Sequence, residues 1–258
     1  MTERIVYALQ KGGCGKTTST VATAEILASA GYRVLVVDFD SQGNASKMLT
    51  GESIYKFSGQ TVMEAIQEGI AEPYIHTVKT NLDLMPAEDR LASLSRYIYT
   101  RRIDNPYGVL KRLLEPVESR YDMVFVDVGP TLGDHLINAL VYADHLVVPV
   151  DSGDLAMDGL LRFIEFVEAS KQEGHTKADI LGIALTMRDR RSKYEKDVAA
   201  GIRGAYGDLV FDTEIGRKVR LKEMSATGMD LKDPAMEDYY KLTEEIMNRI
   251  KRKEKENE

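Results

Sequence analysis

One cysteine, no tryptophan and four histidines in 258 residues close off several kinds of chemistry at once. A single thiol excludes an internal disulfide and a self-contained cysteine metal site, and it fits a reducing, cytoplasmic setting. His76, His135, His145 and His175 show no metal-ligand spacing. No apolar run approaches the roughly 18 residues needed to cross a membrane. Met1-Thr2-Glu3-Arg4 leads straight into an apolar stretch without the shape of a signal peptide, so no membrane partner is expected. No internal repeat, low-complexity segment or linker divides the sequence, which predicts one domain over 1–258 with 251–258 as a charged, frayed helix end. The net charge of −7 argues against nucleic acid as a general partner, although cations outnumber carboxylates ten to six between Arg188 and Lys222.

What is present is alternation. Apolar runs at Ile5–Leu9, Val34–Val37, Leu82–Met85, Met123–Val126, His145–Val150 and Ile180–Thr186 are continuous, as in strands buried on both faces of a parallel sheet. Helix-period segments lie among them at Thr17–Ala30, Thr61–Glu68, Tyr107–Ser119, Gly133–Tyr142, Leu155–Gln172, Lys193–Tyr206 and Pro234–Arg252. The pattern predicts a doubly wound α/β fold, a mostly parallel sheet with helices on both faces and ligands at the carboxyl ends of its strands.

The first strand runs into Lys11-Gly12-Gly13-Cys14-Gly15-Lys16-Thr17-Thr18. A glycine-rich turn between strand and helix lets backbone N–H groups converge on a phosphate, helped by the positive end of the helix dipole. Lys16 is placed to reach the β- and γ-phosphates and the Thr17 hydroxyl to ligate Mg²⁺. The usual G-x-x-x-x-G-K-[ST] template fails, because Gln10 stands where its first glycine belongs. A second lysine, Lys11, opens the loop instead. Lys16 already serves the chain's own nucleotide, so Lys11 points to a nucleotide held by a second subunit. Cys14 needs only its backbone there, although phosphates and a helix N-terminus would lower its pKa.

Two further segments supply carboxylates. The second strand closes on Asp38 and Asp40, whose spacing of two directs both toward the same mouth. Asp38 is expected to orient the loop or the metal shell, and Asp40 to position or deprotonate water. A fourth apolar strand closes on Asp127, the usual place of a metal-shell aspartate in phosphate-loop enzymes.

Together these segments resemble the ParA family of partition ATPases, within the deviant phosphate-loop group that includes MinD. The resemblance rests on residues 11–18, on Val37-Asp-Phe-Asp-Ser-Gln-Gly-Asn44, and on Val126-Asp-Val-Gly-Pro130. Leu185-Thr-Met-Arg-Asp-Arg-Arg191 and Ile215-Gly-Arg-Lys-Val-Arg-Leu-Lys-Glu-Met224 extend it over nearly the whole chain. It implies a slow, partner-stimulated ATPase that sandwiches two ATP–Mg²⁺ in a homodimer, coats DNA without sequence preference, and is released by a ParB-type centromere-binding protein. By that resemblance Lys11, Lys16 and Asp40 carry the chemistry. ATP is held by residues 11–18 with Met187 and Arg188 near the adenine, the metal by Thr17, Asp38 and Asp127. DNA is met by Arg217, Lys218, Arg220 and Lys222, and Gly12 lies at the subunit contact. Ser41, Gly129 and Gly216 depart from the family's prolines. No helix-turn-helix precedes the loop, so direct operator binding is not expected.

The competing function is a membrane-cycling, MinD-like or cargo-positioning ATPase. Its amphipathic anchor would be Tyr239, Leu242, Ile246 and Ile250, although a tail that turns acidic at Glu254, Glu256 and Glu258 favours an ordinary core-docking stripe. The nitrogenase iron protein shares the loop but requires a cysteine pair for its cluster, which one cysteine rules out. A binding module without catalysis is disfavoured by Asp40 and Asp127.

Overall fold

A computed structural model describes residues 2–153 and 156–257. The eight strands are β1 (Glu3–Tyr7), β2 (Val34–Phe39), β3 (His76–Lys79), β4 (Leu82–Met85), β5 (Met123–Val128), β6 (His145–Asp151), β7 (Asp179–Arg188) and β8 (Val210–Gly216). They form one sheet in the order β3-β4-β2-β5-β1-β6-β7-β8, parallel except where β3 pairs antiparallel with β4. Every side chain of β2 and β5 is buried, Asp38 and Asp127 included, as befits apolar central strands of a parallel sheet. β1 lies between β5 and β6 and connects onward to β2, so the crevice beyond its carboxyl end is where the strand order reverses.

Helices cover both faces. On one lie α1 (Lys16–Ser29), α2 (Asn44–Thr50), α9 (Val219–Thr227) and α10 (Glu237–Asn257). On the other lie α3 (Val62–Glu68), α4 (Leu94–Thr100), α5 (Val109–Leu114), α6 (Asp134–Tyr142), α7 (Ala156–Gln172) and α8 (Lys193–Tyr206). Strand alternation sorts the side chains: Val34 and Val36 enter the first core, Leu35, Val37 and Phe39 the second.

All six expected strands are present. β3 and β8 were not expected, because their half-exposed side chains break the continuous apolar pattern. α2, α4 and α9 were also unforeseen, each being short. Leu155 of the expected seventh-helix start lies outside the described residues. The segment after Lys251 is a correction: α10 runs on through Asn257, with Lys253 paired to Asp179 at 3.2 Å. The stripe on α10 docks into the core, as the acidic tail favours. Tyr239, Leu242, Ile246 and Ile250 are all buried against the sheet and α1, so this stripe has no face left for a bilayer. No helix among the described residues is long and apolar enough to cross a membrane.

The two sheet edges are finished differently. β3 is short, has a register irregularity between Thr77 and Lys79, and spends Lys79 on Glu25 at 2.7 Å. On β8 the edge N–H groups of Asp212 and Thr213 donate to Glu245, and that of Gly216 donates to Asp238, both carboxylates belonging to α10.

Two glycines separate packing from propensity. A Cβ on Gly182 of β7 would sit 2.5 Å from the Phe211 ring, which is itself clamped by the Arg249 guanidinium 4.1 Å from its centroid. A Cβ on Gly201, inside α8, would meet nothing within 4 Å. Gly182→Ala is therefore expected to cost about 1–3 kcal/mol by overpacking. Gly201→Ala is expected to gain up to about 1 kcal/mol of helix propensity. Urea unfolding of the two variants checks the opposite signs.

Candidate functional site

The loop after β1 is shaped by glycines in the left-handed region, Gly13 at φ 75° and Gly15 at φ 86°, the latter opening α1. Its far side is pinned to β7, where the Thr186 hydroxyl donates to the Cys14 carbonyl at 2.8 Å. Lys16 is only 6% exposed, and its Nζ donates to the Lys11 carbonyl at 2.6 Å, folded back over its own loop. Lys11 points elsewhere: its Nζ meets Asp151 Oδ1 at 2.6 Å, at the end of β6. A Cβ on Gly12 would meet nothing within 4 Å, so nothing inside this chain demands glycine there. Cys14 corrects the sequence reading, since the thiol is buried and burial pushes its pKa up rather than down.

The strand-end carboxylates divide the work. Asp38 and Asp127 are direct neighbours across the β2–β5 ladder and both are fully buried. Asp38 turns away from the loop. Its Oδ2 accepts from the Ser46 hydroxyl at 2.7 Å and the Ser46 N–H at 2.8 Å, and its Oδ1 accepts from the Asp40 N–H at 3.3 Å. Its hydrogen bonds therefore brace α2, while its carboxyl stays level with Asp127 across the ladder. Burial, only partly offset by Ser46, pushes its pKa up to about 6. Both oxygens of Asp127 are buried without a hydrogen-bond partner among the described residues. Burial first, then the Asp38 charge, raises its pKa well above the carboxylate range, while the Thr17 hydroxyl and Lys16 oppose the shift. An orphaned carboxylate facing a threonine hydroxyl fits Mg²⁺, a hard cation that takes few protein oxygens and completes its shell with phosphate and water. No group of three or more His, Cys, Asp or Glu able to hold a metal occurs among the described residues, which agrees with that sparse donor set.

Asp40 lies further out. Its Oδ1 accepts from the Gln42 N–H at 3.1 Å. A Cβ on Gly129 would come within 3.2 Å of the Asp40 carboxyl, so glycine in place of the family's proline lets this carboxylate lie against the β5 loop.

Two adjoining cavities meet over the loop. One of about 370 Å³ is lined by Gly13, Gly15, Thr18, Met187, Arg217 and Tyr239 among others, and one of about 600 Å³ by Gly12, Lys16, Thr17, Asp40, Gln42 and Lys222 among others. Met187 reaches the first by a left-handed backbone (φ 53°) at a register shift of β7, where its Cε lies 3.8 Å from the position of a Gly15 Cβ. Arg188 is not brought there. Its guanidinium is buried and donates to Ser152, to the Glu195 carbonyl and to Glu214. Thr186 and Met187 both line the cavity, and the left-handed turn at Met187 leaves Arg188 among its own buried partners.

The basic segment also divides. Lys218 pairs with Asp238 at 2.9 Å and Arg220 with Asp233 at 2.8 Å, while Arg217 and Lys222 form no ion pair among the described residues. Arg217, Lys218 and Lys222 line the first cavity, and Arg217, Arg220 and Lys222 are exposed. Two direct contacts tie this region to the loop helix, Thr18 Oγ1 to Ser225 Oγ and Ser19 Oγ to Tyr239 Oη, each at 3.5 Å. Sequence reasoning missed Asp151, although it ends the strand beside β1 as Asp127 does on the other side.

The buried pair sets a pH dependence. Asp38 holds its proton more tightly folded than unfolded, so its stabilising contribution is complete below about pH 4 and is lost as pH rises through about 6. At pH 8 Asp127→Asn removes a buried charge and is expected to stabilise the nucleotide-free protein by about 1–3 kcal/mol. Urea unfolding at pH 8 and pH 5 checks this, with the smaller gain at pH 5.

A family model described as an AAA domain matches residues 2–180. The chain is 32% identical over 255 residues to "Chromosome partitioning protein ParA" of Caulobacter vibrioides, covering 95% of this chain and 94% of that one. It is 35% identical over 248 residues to "Sporulation initiation inhibitor protein Soj" of Bacillus subtilis, covering 92% and 95%. Among solved structures, cobyrinic acid a,c-diamide synthase from Mycobacterium smegmatis, with bound ATP analog and magnesium, superimposes with a TM-score of 0.86. It is 25% identical and covers 97% of this chain and 96% of that one. Loop, strand order and relatives agree: the chain belongs to the ParA/Soj family of phosphate-loop ATPases.

Proposed function

We propose that this partition-type ATPase closes into a homodimer around two ATP–Mg²⁺, holds DNA in that state, and lets go when a ParB-type partner stimulates hydrolysis. The observation that carries the reading is the divergence of the two loop lysines. Lys16 folds over its own loop, whereas Lys11 leaves it for Asp151 at the rim. The open space at Gly12 supports the same reading, because nothing among the described residues blocks the approach of a partner's loop there.

The chemistry then follows from the chain's own groups. Lys16 exchanges the Lys11 carbonyl for the β- and γ-phosphates, and the N–H groups of the loop converge on the same oxygens. Thr17 and Asp127 would hold the metal. When bound, Mg²⁺ neutralises charge building on the transferred phosphoryl group. Asp40, steadied by the Gln42 N–H, orients the attacking water, and Met187 with Tyr239 borders the cavity that would take the base. Lys11, exchanging Asp151 for the partner's nucleotide, adds positive charge across the interface. Arg217 and Lys222 stand where a change in the filled cavity reaches them directly.

Lys16→Ala is expected to abolish ATP binding, measured by titration calorimetry; unchanged affinity would remove the loop assignment. Lys11→Ala should bind ATP as a monomer and fail to dimerise in light-scattering chromatography with ATP and Mg²⁺. A Lys11 variant that dimerises like the wild type would defeat the cross-subunit role.

A further inference from the structure

Two free cations per chain in the Arg217–Lys222 segment are few for a polyanion contact at physiological salt, because affinity of this kind scales with the number of phosphates neutralised. A richer set lies on the opposite layer of the sandwich. Between Arg96 and Arg112 stand five cations, Arg96, Arg101, Arg102, Lys111 and Arg112, against the single carboxylate Asp104. All five are exposed, and none forms an ion pair among the described residues. Asp134, which accepts from the Tyr99 hydroxyl at 2.9 Å, is a second carboxylate beside them, so five cations stand against two carboxylates on a chain of net charge −7.

The backbone beneath them is fixed. Leu94 and Ile98 of α4 and Val109, Leu110 and Leu113 of α5 are buried in the core of this layer. The Asn138 side chain holds the connection from inside: its Oδ1 accepts from the Val109 N–H at 2.9 Å and its Nδ2 donates to the Pro106 carbonyl at 3.0 Å. Arg102 and Asn105 both adopt φ 51° in that connection, a conformation few side chains take without support. The cations are thus presented by ordered structure rather than by a loose loop.

We propose that the α4–α5 face is a second phosphate-backbone contact for nucleic acid, distinct from the segment beside the nucleotide cavity. The inference rests on the DNA-holding reading above and relocates most of its charge. Phosphodiester chemistry suits the patch better than a peptide or a bilayer. A peptide interface needs a central apolar anchor, and an interfacial membrane site needs bulky apolar side chains. The large apolar side chain exposed here is Tyr99, whose hydroxyl is already held by Asp134 at 2.9 Å. Four of the five cations are arginines, interleaved with tyrosines, and the Arg101 guanidinium lies 6.0 Å from the Tyr97 ring centroid. Guanidinium and ring together suit a sequence-tolerant nucleic-acid surface.

The test is fluorescence anisotropy of the full chain, with ATP and Mg²⁺, on a random-sequence DNA duplex across a salt series. Arg96→Gln/Arg101→Gln/Lys111→Gln is expected to weaken binding by about tenfold or more and to lower the log–log salt slope by up to about 2.7, three contacts at about 0.9 each. The charge-keeping Arg96→Lys/Arg101→Lys should retain the slope, and thermal unfolding of each variant reports whether the fold is intact. Wild-type affinity and slope in a folded triple variant would overturn the α4–α5 face. So would a loss confined to Arg217→Gln/Lys222→Gln, or patch-dependent binding to vesicles of anionic lipid without binding to the duplex. A wild-type chain that binds no duplex under any nucleotide would remove the DNA-holding reading together with this one, whereas wild-type binding indifferent to the patch removes this one alone.

Discussion

Two carboxylates buried side by side, Asp38 on β2 and Asp127 on β5, are the constraint around which the nucleotide end of this protein is arranged. Parallel register puts them level, and burial makes their charges expensive. The cost is handled unequally. Asp38 is satisfied by Ser46 and so fastens α2 and its loop to the sheet. Asp127 is left without a hydrogen-bond partner among the described residues, opposite Thr17. An unfilled carboxylate of this kind trades resting stability for readiness to take a cation, and Lys16, folded on its own loop nearby, covers part of the charge meanwhile.

Much of this was legible in the chain because burial leaves unmistakable marks on sequence. Continuous apolar runs named six strands, and the loop with its lysines and flanking carboxylates named the crevice. What was not legible depended on partners far away in sequence. Arg188 sits one residue beyond Met187, and only the register shift in β7 decides which of them meets the cavity. Lys218 and Arg220 read as free charges until Asp238 and Asp233 are seen to neutralise them; the latter lies thirteen residues on. β3 and β8 escaped because an edge strand has no need of the continuous apolar content by which the central strands announce themselves.

The helix layers separate tasks that a local reading of charge would merge. The layer carrying α1, α9 and α10 is joined to the nucleotide loop by Thr18–Ser225 and Ser19–Tyr239, so whatever fills the cavity is felt there first. The layer carrying α4 and α5 shares its core with the buried Cys14 of the loop. Asp151, reached by Lys11, stands at the end of β6 on the shared rim between them.

The treatment of the sheet edges bears on how copies of this protein can combine. With β3 shortened and irregular, and the β8 donors taken by Glu245 and Asp238, neither side offers a ladder to a further strand. Growth of an open filament by sheet extension is closed off, which leaves association to the loop end and the helical faces. Contact between copies then rests on side chains rather than on a shared backbone ladder.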